Sequence, residues 1–377
     1  MNYRQFGKLD FKVSALSFGA MRFPEKNGII EEQESSRMLY YAIDSGVNYI
    51  DTAWPYHKDK CESFLGKTLN GQYRSKVKLA TKLPCWLIEK QSDCDTYLNE
   101  QLKRLKTDHI EFYLLHGLFS TRWEQVRKLD ILSWLEKAVQ DGRIGSIGFS
   151  FHGTYPMFKQ IIDFYGWDFC LIQYNYLNEE FQAGSKGLKD AAQKSMSAVI
   201  MEPLLGGTLA NPQGNMKKIW DDSGLDPVDV ALRWLWNKPE VSTVLSGMST
   251  LEQVKHNVRL ASSPNINSIS QEELGIIKQV LQVYESLSPI PCTKCDYCMP
   301  CPNGINIPRN FDLYNQAKAY NNLFFGKAHY NWHTQESERA GACTECEECE
   351  EKCPQDIKIS ELMSVVHEEL LFKEGEG

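Results

Sequence analysis

No stretch of this 377-residue chain stays apolar over the roughly 20 residues that a membrane-spanning helix needs; even the run AVIMEPLL is broken by Glu202. The opening segment MNYRQFGKLD is polar and lacks the apolar core of a secretory signal. Basic residues are in deficit: 41 Lys and Arg face 49 Asp and Glu, a net charge of −8 with no basic stripe. That balance argues against nucleic acid or an anionic membrane as a partner. Beyond a strand–helix alternation there is no internal repeat, and no low-complexity tract. The familiar phosphate-binding loops are missing as well. Gly66-Lys67-Thr68 resembles the end of a P-loop, but the first glycine that loop requires falls on Cys61. The segment GRIGSIG spaces its glycines as GxxGxxG, which is not the dinucleotide fingerprint. These absences leave a cytoplasmic chain whose 42% hydrophobic residues can bury a sizeable core.

What the chain does have is cysteine in an unusual arrangement. Eight of its 12 cysteines fall in two runs, Cys292-x2-Cys295-x2-Cys298-x2-Cys301-Pro302 and Cys343-x2-Cys346-x2-Cys349-x3-Cys353-Pro354. Overlapping CxxC turns aim several soft thiolates at one small volume, and a [4Fe–4S] cube needs four of them. In two-cluster ferredoxins the fourth Cys of each run, followed by Pro, ligates the other cluster. The spacing therefore predicts two [4Fe–4S] clusters with crossed ligation. Disulfides fit badly, because three overlapping CxxC turns would close strained short loops and a cytosolic setting keeps thiols reduced. Zinc ribbons separate two CxxC pairs by roughly a dozen residues or more instead of packing four together. The first run departs from the ferredoxin pattern in having x2 before Cys301. Cys61, Cys85, Cys94 and Cys170 are scattered and read as ordinary buried or surface thiols.

Upstream of the runs, short apolar and β-branched stretches alternate with helical patterns. Strands are expected at 13–21, 48–53, 77–83, 110–117, 144–151, 169–176, 197–204 and 241–247. Amphipathic stretches such as EEQESSRMLYYAIDSG and WEQVRKLDILSWLEKAVQDG lie between them. Eight strands alternating with helices favour a closed (β/α)8 TIM barrel, an α/β fold. MNYRQFGKLDFKVS, with its Gly-Lys turn, predicts a hairpin ahead of the barrel. The amphipathic helix QEELGIIKQVLQVYESL ends near SPIP, which places a boundary between a barrel domain at 1–286 and a small α-helical ferredoxin-like domain at 287–377.

The reactive face of such a barrel lies at the C-terminal ends of its strands. Reading those ends in order gives Asp51, Lys82 and His116, with Tyr56 in the loop after the second strand. Each alone reads as a solvated loop charge or a structural side chain. Together they make a coherent acid: Lys82 supplies a cation beside the Tyr56 phenol, Asp51 holds Lys82 charged, and His116 orients a carbonyl oxygen. The words GVNYIDTAWPY, LATKL, LKTDHIEFYLLHGL, GRIGSIGFS and IQYNYLN occur in this order, and the chain up to about residue 285 resembles the aldo-keto reductase family.

That resemblance implies reduction of an aldehyde or ketone by NADPH or NADH, with Asp51, Tyr56, Lys82 and His116 as the catalytic tetrad and Tyr56 as the acid. It places Ser150 and Gln173 at the nicotinamide carboxamide and Asn257 near the adenine. It also implies a pyrophosphate loop at Gly206-Gly207. Departures are visible: Phe151 stands where many members have Asn, and Met201 where an aromatic stacks on the nicotinamide. The segment that often grips a 2′-phosphate offers Gly247, Met248 and Gln253 in place of a Lys–Ser–Arg set, so NADPH is preferred over NADH by family habit alone. Trp54, His57, Trp86, His152 and Tyr174 fall in or next to expected strand–helix loops, as pocket walls or as packing.

The C-terminal part resembles the α-helical ferredoxin domain, and RNFDLYNQAKAYNNLFF between the two runs reads as helix. A barrel followed by such a domain resembles the iron–sulfur aldo-keto reductases. Glu345, Glu347, Glu348, Glu350 and Glu351 crowd the second run as a solvated face, as a repulsive field that lowers the cluster potential, or as a docking patch for a basic redox partner; a ferredoxin-like partner belongs to the electron-transfer reading below. Hydride carries two electrons and a cluster one, so coupling the two halves needs a flavin or a radical-forming substrate. No flavin motif is evident, although a barrel can bind flavin without one. Three readings follow: a carbonyl reductase with attached clusters, a cluster-fed electron-transfer reductase, and a non-catalytic redox sensor. The complete tetrad favours the first.

Overall fold

The computed structural model describes residues 1–264, 268–292, 297–353 and 355–373; Cys295 and Pro354 of the two cysteine runs lie outside them. Eight strands form in the expected places: β1 (Leu16–Gly19), β2 (Tyr49–Asp51), β3 (Lys78–Leu83), β4 (Ile110–Leu118), β5 (Ile144–Phe151), β6 (Phe169–Gln173), β7 (Ser197–Met201) and β8 (Val241–Ser246). Each pairs in parallel with its successor, and β8 returns to β1 with Val244 opposite Leu16, closing the barrel. Such strands are covered on both faces, by the lumen and by the surrounding helices. That is why β6 and β8 are buried throughout and read as unbroken apolar or small-residue runs.

Register sets up the site. Asp51 pairs with Ala80 across β2 and β3, and Lys82 lies two residues beyond Ala80. The period of two in a strand therefore puts Asp51 and Lys82 on one face.

The N-terminal segment folds as the expected hairpin, Tyr3–Gln5 antiparallel to Lys12–Ser14. The strand expected at 13–21 is thus divided: Lys12–Ser14 belongs to the hairpin and Leu16–Gly19 to the barrel. The hairpin turn at Gly7 has φ +54°, and a Cβ there would come within 2.6 Å of the Ser195 carbonyl oxygen, so the sharp turn requires glycine. It delivers Phe6, fully buried, against the aromatic layer at the barrel base: its ring centroid lies 4.7 Å from Phe112, 5.7 Å from Phe169 and 6.0 Å from Tyr49.

The long amphipathic stretch after β4 is two helices, Ser120–Lys128 and Ile131–Gln140. They are separated by Asp130, which takes a left-handed conformation at φ +51°. Aspartate tolerates that geometry because its short polar side chain bonds locally, here by accepting from Ser133 Oγ at 2.7 Å.

The described chain divides into two compact units, 1–205 with 228–269, and 206–227 with 270–377. The division differs from the boundary expected at 286/287. Helix Gln271–Leu287 opens with a capping box between Ser270 and Glu273 and packs on Gly214–Ser223 and Ile307–Ala319, which places it in the second unit. The helical reading between the cysteine runs resolves into Ile307–Ala319 and Leu323–Trp332, broken at Asn321 (φ +49°). The Asn322 side chain caps the second of these by accepting from the Phe325 amide. With Ile359–Leu370 these helices enclose a core of Phe311, Tyr330, Met363 and Val366, into which Cys298 and Cys349 are built. Among the described residues no helix is long and apolar enough to cross a membrane.

Because Phe6 joins the hairpin to the barrel base, Phe6→Ala is expected to destabilise the barrel by about 3–5 kcal/mol. A urea titration followed by tryptophan fluorescence checks this; an unchanged midpoint would show that the hairpin is dispensable.

Candidate active site

The strand ends bring three of the four tetrad positions into direct contact. Lys82 is 1% exposed, and its ammonium donates to Asp51 Oδ1 at 2.6 Å, to the Thr52 carbonyl at 2.7 Å and to Tyr56 OH at 3.3 Å. An ammonium has three N–H bonds, and each meets an oxygen here. Tyr56 accepts from Lys82, so its own O–H is left to point elsewhere. Burial works against the Lys82 cation, but Asp51 and Tyr56 more than offset it and hold its pKa above the ordinary value. For Tyr56, burial pushes the phenol above its ordinary pKa despite the opposing pull of Lys82. The lowering expected from a nearby cation is present but is outweighed by desolvation.

His116 completes the set at the edge. Its ring lies nearly perpendicular to that of Tyr56, with centroids 6.4 Å apart, and 5.1 Å from the ring of Trp86. The three residues after Tyr56 (His57, Lys58 and Asp59) all have φ between 52° and 64°, a concentration of strained backbone beside the reactive groups. His57 is held in this loop by Glu25 and by the Ala20 carbonyl.

The expected cofactor positions sort into two groups. Ser150 and Gln173 sit at the ends of the adjacent strands β5 and β6, each 1% exposed. Ser150 Oγ accepts from the amide of Gly117, next to His116, at 2.7 Å. Gln173 Oε1 is buried with no hydrogen-bond partner among the described residues. A buried acceptor left bare costs about 1–3 kcal/mol, so this atom fits an incoming N–H donor such as a carboxamide. Met201 ends β7, half-buried beside the barrel core. Phe151 is committed to packing on Phe149 and Phe158.

Gln253 and Asn257 lie on the helix after β8, Leu251–Ala261, and bond residues between it and the strand end. Gln253 Oε1 accepts from the Ser249 amide at 2.8 Å, and Asn257 Nδ2 donates to Ser246 Oγ at 3.2 Å. Gly247 is exposed. Gly206 and Gly207 are left-handed, at φ 64° and 97°, and group with the second unit.

Of the suggested pocket residues, Tyr174 and Trp54 are packing. Tyr174 stacks on Trp234 and bonds Ser185, while Trp54 is covered by the Arg104 guanidinium at 3.6 Å and by Tyr97. Trp86 stays 38% exposed beside His116.

A supporting layer behind Lys82 went unread in the sequence. Glu62, 1% exposed, accepts from Thr81 Oγ1 and from Gln101 Nε2, both at 2.7 Å. Gln101 Nε2 also donates to the Lys82 carbonyl at 3.0 Å, and its Oε1 accepts from Tyr113 OH at 2.7 Å. Arg104 joins Glu62 at 3.4 Å and covers Trp54 in the Tyr56 loop. The available signal was helical phase: Gln101 shares the buried face of Asp93–Leu105 with Leu98, Leu102 and Leu105, and Glu62 shares that of Cys61–Thr68 with Phe64 and Leu65.

In the second unit, described thiols of both cysteine runs lie in or against one core: Cys298 and Cys349 within it, with Cys292, Cys301, Cys343 and Cys353 packed on it. Burial pushes the Cys349 thiol up to about 11, and the neighbouring Cys301, Cys343 and Cys346 push in the same direction. Cys301, the outlier by spacing, is thus among the groups that act on Cys349. Cys292 and Cys353 pack against the same core as Cys298.

Comparison with known proteins agrees with both halves. Residues 15–282 match the model of the aldo/keto reductase family, and 291–357 that of a 4Fe-4S dicluster domain. The chain is 25% identical over 339 residues to the uncharacterized oxidoreductase YrpG of Bacillus subtilis, covering 77% of this chain and 97% of that protein. It is likewise 25% identical over 358 residues to protein tas of Escherichia coli, covering 77% of this chain and all of that one. The fold matches aldo-keto reductase AKR11C1 from Bacillus halodurans (holo form) with a TM-score of 0.63 at 24% identity, over 74% of this chain and 96% of that one.

Burial pushes the Glu62 carboxyl above its ordinary value, against the bonds from Thr81 and Gln101 and the charge of Arg104. The folded state thus holds this proton more tightly than the unfolded state, and stability falls as pH rises from the ordinary carboxyl range, near 4.3, through the folded pKa. Glu62→Gln removes that slope. Urea midpoints at a series of pH values should show wild-type stability falling relative to the variant with rising pH; parallel curves would place Glu62 at an ordinary pKa.

Proposed function

The chain belongs to the aldo/keto reductase family and carries a 4Fe-4S dicluster domain, and on that premise we propose that its barrel reduces an aldehyde or ketone with Tyr56 as the proton donor. It is an oxidoreductase of the aldo-keto reductase type; the carbonyl substrate, the NAD(P)H dependence and the residue roles are our reading. The observation that carries it is the Lys82 ammonium, buried and shared between Asp51 and Tyr56.

A bound reduced nicotinamide, NADPH or NADH, supplies the hydride. Ser150 and the bare acceptor of Gln173 suit its carboxamide. As the substrate carbon accepts hydride and the C=O π electrons move to oxygen, Tyr56 gives that oxygen its proton. The tyrosinate left behind is stabilised by Lys82, 3.3 Å away, and regains a proton from water. Asp51 keeps Lys82 charged and in place throughout. His116 donates to the carbonyl oxygen and fixes its direction. Because burial holds the Tyr56 pKa above its ordinary value, the acid form persists across neutral pH, and reduction falls away only on the alkaline side.

Anaerobic turnover of a carbonyl panel with NADPH and with NADH tests the reading. Tyr56→Phe should lower kcat by roughly 10²- to 10⁴-fold, the usual share of a general acid, while nicotinamide fluorescence still reports cofactor binding. Full activity in Tyr56→Phe would remove Tyr56 from the role. Cluster bleaching by cofactor alone would favour the electron-transfer reading instead.

For the second unit we propose two cubes, one held by Cys301, Cys343, Cys346 and Cys349 and the other by Cys292, Cys295, Cys298 and Cys353. Analysis should find about eight iron and eight sulfide per chain. Cys301→Ser should weaken the cluster of the second run and leave that of the first. Loss confined to the first run's cluster would instead assign each run its own cube.

A further inference from the structure

One charged side chain at the mouth of the barrel has no role in the chemistry above. Arg122 lies in the first turn of helix Ser120–Lys128, directly after β4 and His116. Its guanidinium is sandwiched between two rings, with Cζ 4.4 Å from the Phe119 centroid and 5.2 Å from that of Trp86. Trp86 in turn lies 5.1 Å from the His116 ring, so the cation stands one aromatic ring away from the proposed carbonyl site. Nη1 donates to the Gly117 carbonyl at 2.9 Å. That approach depends on Gly117, which is left-handed at φ +64° and whose Cβ, if it had one, would lie 2.6 Å from Nη1.

Arg122 also lacks a counter-ion among the described residues. The other ionisable group that acts on it is the Cys85 thiol, which burial pushes up to about 12 and so keeps neutral. A half-buried cation without a carboxylate partner is an expense that folds seldom carry without a use. Four other arginines of the barrel unit have carboxylate partners: Arg37 with Glu34, Arg74 with Glu111, Arg104 with Glu62 and Glu100, and Arg143 with Asp95 and Asp141. Planar guanidinium between aromatic faces, with one N–H spent on Gly117 and the others unbonded among the described residues, is a receptor for a planar anion, which it can bind through two parallel N–H···O bonds. A single positive charge balances a carboxylate better than a doubly charged phosphate.

We propose that Arg122 recognises a carboxylate on the substrate, so that the preferred carbonyl compounds are aldehydes or ketones bearing a carboxylate, with their apolar body against Trp86. The inference rests on the carbonyl-reductase reading for its context. The full-length, cluster-loaded protein decides it with two isosteric substrates, 4-carboxybenzaldehyde and 4-formylbenzamide. Wild type should favour the carboxylate in kcat/KM by roughly 10- to 100-fold, as expected for a charge-assisted pair. Arg122→Met should collapse that ratio toward one, and Arg122→Lys should restore part of it. A wild-type ratio near one, or a loss in Arg122→Met that falls equally on both substrates, would show a clamp for Trp86 and Phe119 and overturn the proposal. A parallel titration, quenching of tryptophan emission by terephthalate and by terephthalamide, needs no turnover. If no carbonyl is reduced, the reductase reading fails by itself, and tighter binding of terephthalate that is lost in Arg122→Met still upholds the anion site. Equal binding of the two ligands overturns it.

Discussion

The buried ion pair between Lys82 and Asp51 is the constraint on which the barrel's site depends. Taking two charges out of water costs several kcal/mol per ion, and the cost is met only where the remaining donors and acceptors are satisfied. Lys82 meets that condition with three oxygen partners, one of them Tyr56, whereas Asp51 Oδ2 is buried with no hydrogen-bond partner among the described residues. The contact that stabilises the cation is thus also the one that prepares Tyr56. Removing either charge strands the other in a buried position, so geometry and chemistry cannot be separated here.

The pair is positioned by register before any side chain acts. Parallel pairing of β2 with β3 sets Asp51 and Lys82 on one face, and the hairpin plug of Phe6 packs the opposite end of the lumen. Behind β3, the layer of Glu62, Gln101 and Tyr113 ties the Lys82 main chain to two flanking helices. Arg104 extends the same layer to the loop that carries Tyr56, by covering Trp54. A buried polar network of this kind is costly unless every member is partnered, and when satisfied it favours one arrangement over its neighbours. Precision in the reactive groups is therefore inherited from residues that never meet substrate.

The second unit solves a different problem. Its helices enclose a core in which thiols take the place of aliphatic side chains, and thiolates crowded together repel one another until a cation neutralises them. In our reading one chain holds a two-electron reaction in its barrel and one-electron centres in its helical unit. Any traffic between the two needs a group able to change electron number.

The barrel and the hairpin were legible from the sequence because each depends on local pattern: short apolar and β-branched runs alternating with helical stretches, and a Gly-centred turn. Cysteine spacing likewise announced the cluster domain, since overlapping CxxC turns constrain their own geometry. Tertiary structure decided what spacing could not express. Cys301 looked irregular in its run, yet it packs against the same core as Cys349. Gln253 bonds the Ser249 amide and Asn257 the Ser246 hydroxyl, whereas Gln173 keeps a bare acceptor. Glu62, Gln101 and Arg122 carried no motif at all, because a charge on a helix reads as surface until the fold buries it. The sequence by itself determined which elements form and which residue types stand at their ends. Only the tertiary structure decided which of those residues pay for burial and which partners they find, because desolvation and pairing depend on neighbours distant in the chain.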